Sequence, residues 1–191
     1  MRRVWPREKV ERFEEVIHIE TNSESICIGR AGGDNHAELE GIEYCGTHGG
    51  KLHLFITLAP VASALLGGAN LSGFSYEVLE NKIGSDISFY NVQFYNGFGS
   101  MSNVQDYKTI AAKVDHSKVV AGLLTSQTKG TGWLPFAEMS RTIHSLRDEY
   151  VRFGGVAGWE YSDSQPGGQA RPWEWVQSMT TLLRPHGVGM V

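Results

Sequence analysis

The 191-residue chain predicts an α/β fold in which parallel strands alternate with helices. Three observations carry that prediction. Four strand-like runs start about 30 to 37 residues apart, the length of a strand, a helix and two loops. Apolar residues at helical spacing fill the intervals. The composition, 41% hydrophobic and 10% aromatic, is that of a globular domain able to bury a core.

The elements follow in order. Leu52, Leu54, Ile56 and Leu58 alternate with His53, Phe55 and Thr57, and Pro60 ends the run. Ala62–Leu66 and Tyr76–Ile83 flank a glycine-rich loop in a less regular interval. Residues Ile87–Tyr95 form the second strand-like run, stopped by Asn96-Gly97. Val104, Tyr107, Ile110 and Val114 recur at helical spacing. Lys118–Leu124 is the third run. Met139, Ile143, Leu146 and Tyr150 then mark one buried helix face. Gly155–Trp159 is the fourth run, and Arg171-Pro172 opens a helix expected to bury Val176, Met179 and Leu183.

Charge divides the chain. Sixteen of the charged residues lie in residues 1–50, which read as a charged stretch from Glu8 to Ile19, a short helix, followed by a Ser/Gly/Asn-rich loop. Residues 1–50 are therefore an irregular, unplaced segment, and residues 51–191 are the fold-bearing part. A net charge of −4 without a Lys/Arg run argues against nucleic acid as a partner. No run of 18 apolar residues exists to span a membrane. The stretch MRRVWPREKVERFEEV lacks the apolar centre of a signal peptide, so no export address is read there and localisation stays open. Cys27 and Cys45 are too few for a disulfide scaffold. Cys45, His48 and His53, with Cys27 and His36 nearby, lack a paired metal-ligand spacing, so neither metal nor cofactor is expected. Asn70-Leu71-Ser72 is a glycosylation sequon whose meaning depends on export.

Four βα units make either an open sheet or half of a (β/α)₈ barrel, which typically needs about 250 residues. In both, chemistry belongs at the C-terminal ends of the strands. Those ends carry Ala59-Pro60, Gln93-Phe94-Tyr95-Asn96, Thr125-Ser126-Gln127 and Trp159-Glu160-Tyr161. Tyr95, Phe98, Trp133, Trp159 and Tyr161 suit either sugar stacking or packing of the strand–helix seams. Glu160 either faces the cleft or pairs with Arg171 or Arg152.

The run Phe89-Tyr90-Asn91-Val92-Gln93-Phe94-Tyr95-Asn96-Gly97-Phe98-Gly99 closely resembles the sixth-strand motif of glycoside hydrolase family 18, the chitinases and endo-β-N-acetylglucosaminidases. Ile56–Ala62 resembles that family's fifth strand and Val119–Leu123 its seventh. Gly154–Tyr161, continuing through Gln165-Pro166-Gly167-Gly168 to Pro172-Trp173-Glu174-Trp175, resembles the eighth in its fungal form. The resemblance covers roughly residues 52–183. It implies the C-terminal half of a TIM barrel, residues 51–191, that acts on β-1,4-linked N-acetylglucosamine.

Family 18 uses substrate-assisted catalysis, in which the substrate's own N-acetyl oxygen attacks the anomeric carbon. By motif, Tyr95 matches the tyrosine that hydrogen-bonds and orients the acetamido group. Gln93 matches a polar residue of the same subsite, with Asn96 beside it, and Trp159 matches the tryptophan under the −1 sugar. Gln93, Tyr95, Asn96, Trp159 and Glu160 are the candidate substrate-binding residues. The family's acid lies on its fourth strand, in an Asp-x-x-Asp-x-Asp-x-Glu motif that occurs nowhere in these 191 residues. Asp34 is the only aspartate before residue 86, and Glu38, Glu40 and Glu43 read as solvated helix residues. No catalytic acid is therefore assigned, and two expectations follow: a chitinase-like protein inactive by itself, or a non-catalytic chitin-binding, lectin-like relative. Open sheet edges on a half barrel also predict self-association.

Overall fold

The structure, a computed structural model, describes residues 18–20 and 55–184. Strands β1 (His18–Glu20), β2 (Phe55–Leu58), β3 (Ile87–Gln93), β4 (Val119–Leu124) and β5 (Val156–Trp159) form one sheet in that order. β2 through β5 are parallel neighbours, and β1 pairs antiparallel with β2. Helices α1 (Ala62–Leu66) and α2 (Tyr76–Ile83) connect β2 to β3, α3 (Gln105–Ala111) connects β3 to β4, and α4 (Phe136–Glu149) connects β4 to β5. Helix α5 (Trp173–Leu183) follows β5. The described fold is thus α/β, with four parallel βα units consistent with part of a barrel.

Four corrections to the sequence expectation appear, each with a physical reason. His18 and Ile19, expected at the end of a helix, lie in a strand, where their backbone pairs with the open edge of β2. Glu8–Ile17 and Leu52–Leu54 lie outside the described residues, as do Cys27, His36, Cys45, His48 and His53. The second run ends at Gln93 rather than Tyr95. Asn96 and Gly97 carry φ of 56° and 81°, and Phe98 N–H donates to the Tyr95 carbonyl at 3.1 Å, a tight turn that swings the chain off the sheet. The third run begins one residue late, because Asp115 caps a 3₁₀ turn, His116–Lys118, that delivers the chain into β4. The α5 face is also rotated from expectation. Met179 and Leu182 are buried, Leu183 is half-buried and Val176 is exposed. Trp175 sets that rotation. A Cβ on Gly158 would meet its ring carbons at 2.8 Å, so the indole lies directly on β5, and positions 175, 179 and 182 share one helical face.

Strand alternation separates two faces of the sheet. Ile56, Leu58, Tyr90, Val92, Phe94, Val119, Ala121 and Leu123 point toward the helices and form the core with Tyr107 and Ile110 of α3 and Met139, Ile143 and Leu146 of α4. The hydroxyl of Tyr107, a fully buried residue, lies 3.0 Å from each of the His116 and Val119 carbonyl oxygens, so this phenol is satisfied. Tyr90 donates to Glu80, whose carboxylate also faces Lys118 at 3.6 Å. Burial, reinforced by Glu80, raises the Tyr90 pKa, so this phenol stays a donor. The register Gln93↔Gly122 and Leu124↔Trp159 then assigns Thr57, Phe89, Asn91, Gln93, Val120, Leu124, Ala157 and Trp159 to the opposite face. Most of these are half-exposed, and Leu124 and Tyr95, though buried, stand outside the core cluster.

Candidate functional site

Three of the five predicted site residues come from that second face and its C-terminal rim. Gln93 ends β3 and is half-buried. Its Nε2 donates to the Ala59 carbonyl at 2.8 Å, and its backbone N–H donates to the Pro60 carbonyl at 2.8 Å. The bridge Val61↔Gln93 continues the β2–β3 ladder past β2, so the amide is held against the end of β2 with its oxygen free of a hydrogen bond from the described residues.

Tyr95 lies two residues on, with 8% of its surface exposed. Its hydroxyl has no hydrogen-bond partner among the described residues and is not sealed from solvent. Burial raises its pKa, so the phenol stays protonated and able to donate through the neutral range. A buried ring with a free hydroxyl donor is suited to steadying a carbonyl oxygen.

Trp159 ends β5 with 55% of its surface exposed, an unusual state for the largest apolar side chain at the end of a parallel strand. Its carbonyl accepts from Thr125 N–H at 2.9 Å, which continues the β4–β5 ladder. The Trp159–Glu160 peptide is cis. With more than half of its surface open and the β4–β5 ladder bond at its carbonyl, the indole offers a flat face of the kind that stacks on a pyranose ring.

Asn96 and Glu160 are occupied otherwise. Asn96 forms a reciprocal pair with Thr131. Its backbone N–H donates to the Thr131 carbonyl at 2.8 Å, and its Oδ1 accepts from Thr131 N–H at 2.9 Å. Gly130 makes that possible, because a Cβ there would collide with the Asn96 carboxamide. Glu160 does pair, but with Lys129 at 2.6 Å; Arg171 pairs with Glu174 at 2.8 Å and Arg152 faces Asp115 at 3.8 Å. Lys129 also lies 3.2 Å from Asp163. Hydrogen bonds from Lys129 and then Ser162 hold the Glu160 carboxyl below its ordinary value, and the bond to Glu160 raises the Lys129 pKa. Sequence reading missed Lys129 and Thr131. The signal was the run Thr128-Lys129-Gly130-Thr131-Gly132, a lysine and two glycines immediately after a strand end.

The aromatic residues Trp133 and Tyr161 differ in their exposure. Trp133 is half-buried and, with Leu124, Phe136, Met139 and Trp175, lines a pocket of about 610 Å³ at the end of β4. Tyr161 is 59% exposed beside Trp159. No group of three metal-ligating side chains occurs among the described residues.

Comparison with known proteins agrees with the fold. No family model matches the chain. A fungal endo-β-N-acetylglucosaminidase from glycosyl hydrolase family 18 superposes with a TM-score of 0.68 at 54% identity, over 70% of this chain and 47% of that one. A chitinase from Aspergillus fumigatus superposes with a TM-score of 0.57 at 45% identity, over 68% and 48%. Chitinase 2 of Rhizopus oligosporus is 28% identical over 109 residues, 52% of this chain and 20% of that protein. The chain thus spans about half the length of the two solved chains and a fifth of the curated relative. Helix-covered parallel strands, four strand motifs in family order and these likenesses identify the chain as a chitinase-like sequence of glycoside hydrolase family 18, of the fungal type.

Proposed function

We propose that residues 51–191 supply the sugar-binding floor of a family 18 site for β-1,4-linked N-acetylglucosamine, in chitin or in a glycan with that linkage. The observation carrying this reading is that Gln93 and Trp159 share one sheet face at the C-terminal ends of β3 and β5, the indole open, while Tyr95, two residues past β3, has a phenol hydroxyl without a hydrogen-bond partner among the described residues. In this reading Trp159 stacks beneath the −1 ring. Tyr95 donates to the acetamido oxygen and holds it for attack on the anomeric carbon, and Gln93 lines the same subsite. The names of the similar proteins, a chitinase and an endo-β-N-acetylglucosaminidase, fit this substrate class.

We further propose that the 191 residues alone bind without efficient turnover. They contain no Asp-x-x-Asp-x-Asp-x-Glu. The two carboxylates at the end of β5, Glu160 and Asp163, are both engaged by Lys129, so neither is free to protonate a leaving oxygen. Loss of a positioned general acid costs about 10²–10⁴ in rate. That occupancy also favours a second reading, a lectin-like protein that uses the same three residues for binding alone.

Titration with chito-oligosaccharides, followed by tryptophan fluorescence, is expected to give a saturable change. An unchanged signal at millimolar ligand overturns the binding reading. Rapid release of chromophore from an aryl chitobioside would overturn the proposal that these residues lack a competent acid.

A further inference from the structure

We infer that the loop after β4, residues 127–132, is a strap that spaces Tyr95 and Trp159 for one N-acetylglucosaminyl ring, with Lys129 as its positioning residue. The inference rests on the sugar-binding reading above. β3 and β5 do not pair with each other; β4 lies between them, so Tyr95 and Trp159 rise from strands about 10 Å apart by ordinary sheet spacing. That gap is the width in which a pyranose must touch both a phenol and an indole.

The loop is tied to both strand ends by separate sets of bonds. Toward β3, Thr131 and Asn96 exchange two hydrogen bonds at 2.8 and 2.9 Å, and a Cβ on Gly132 would lie 3.5 Å from the Tyr95 Cα. Toward β5, Lys129 binds Glu160 at 2.6 Å and Asp163 at 3.2 Å, while Thr128 Oγ1 donates to Asp163 Oδ2 at 3.1 Å. Asp163 Oδ1 is buried, and the Lys129 ammonium at 3.2 Å is its counter-charge among the described residues. Removing Lys129 therefore leaves two carboxylates facing each other beside Trp159, which pushes the β5 end outward. The groups facing Glu160 are Lys129 from the β4 loop and Ser162 and Asp163 from the turn after β5. Protonating Glu160 at acid pH weakens one of the three contacts that tie the strap to the β5 side.

Two measurements on the intact chain test this. Calorimetric titration with chitotriose is expected to show Lys129→Met binding about three- to tenfold more weakly, from loss of a partly exposed charge-assisted pair. Lys129→Arg is expected to recover most of that loss. Lys108→Met, which breaks the remote Lys108–Glu149 pair of 2.8 Å, is expected to bind as the parent does. Equal affinity in Lys129→Met and the parent overturns the inference.

The second measurement needs no ligand. With 5-fluorotryptophan incorporated, the Trp159 resonance is assigned by its loss in Trp159→Phe. In the parent it should shift as pH falls below the usual carboxylate range. In Lys129→Met it should already be displaced at pH 7 and should titrate at higher pH than in the parent, because the ammonium that holds the Glu160 carboxyl down is gone; Glu160→Gln, displaced and without that titration, serves should Lys129→Met not fold. A resonance with the same position and pH response in parent and variant overturns the strap. Absence of chitotriose binding by the parent defeats the proposed function instead, and the fluorine signal still decides the strap.

Discussion

Replacing Trp159 by alanine separates binding from stability, because the indole is more exposed than buried. A tryptophan presents up to about 250 Å², so 55% exposure leaves roughly 140 Å² open to solvent. A sugar stacked on one face covers about half of that, and roughly 70 Å² at about 25 cal/mol per Å² contributes about 2 kcal/mol. Contact with the π face adds about 0.5–1 kcal/mol. The sum of 2–3 kcal/mol corresponds to a roughly 30- to 150-fold loss of affinity. The folded state, by contrast, loses only the buried fraction of one side chain, and the ladder bond at the Trp159 carbonyl is a backbone interaction that alanine retains. Calorimetry with chitotriose gives the affinity and urea denaturation gives the stability. A Trp159→Ala chain that binds as tightly as the parent refutes the placement of a sugar on this indole. One that fails to fold refutes the structural claim that the side chain stands outside the core.

Two further predictions concern the scaffold. Gly158→Ala places a Cβ 2.6 Å from Thr125 Cγ2 and 2.8 Å from the Trp175 ring, so overpacking should destabilise the chain by about 1–3 kcal/mol. In urea that would appear as a lower midpoint with an unchanged slope, and an unchanged midpoint would mean that α5 does not pack on β5 as described. Asp115 accepts from the backbone and side chain of Ser117, which hold its pKa below the ordinary value. Its stabilisation is therefore complete above the ordinary carboxylate pKa and is lost as pH falls through the lowered one. Asp115→Asn should reduce the melting temperature at pH 7 and converge with the parent once the pH has fallen through that lowered value, and parallel curves across that range would contradict the assignment.

The contrast between α3 and α5 explains how much of the fold could be read in advance. Tyr107, Ile110 and Val114 recur at one helical spacing and are all buried, since α3 meets the sheet through a single stripe. The α5 segment is apolar over most of its surface, so periodicity permits several faces, and the contact of Trp175 with a glycine on β5 selects one. Asn96 and Glu160 illustrate the same limit at the site. Their positions at strand ends are readable, but their side chains answer to Thr131 and Lys129, 35 and 31 residues away along the chain.

The sequence by itself determined that strands and helices alternate, where four of the strands lie and which residues stand at their C-terminal ends, because hydrophobic period and turn residues are local properties. The motif order also carried the family. Only the tertiary structure decided that β1 runs antiparallel at the sheet edge and that Gln93 and Trp159 share one face. It alone also showed the loop after β4 joined to the ends of β3 and β5. Each of these depends on strand register or on contacts between residues 30 or more positions apart, and neither leaves a periodic trace in a single chain.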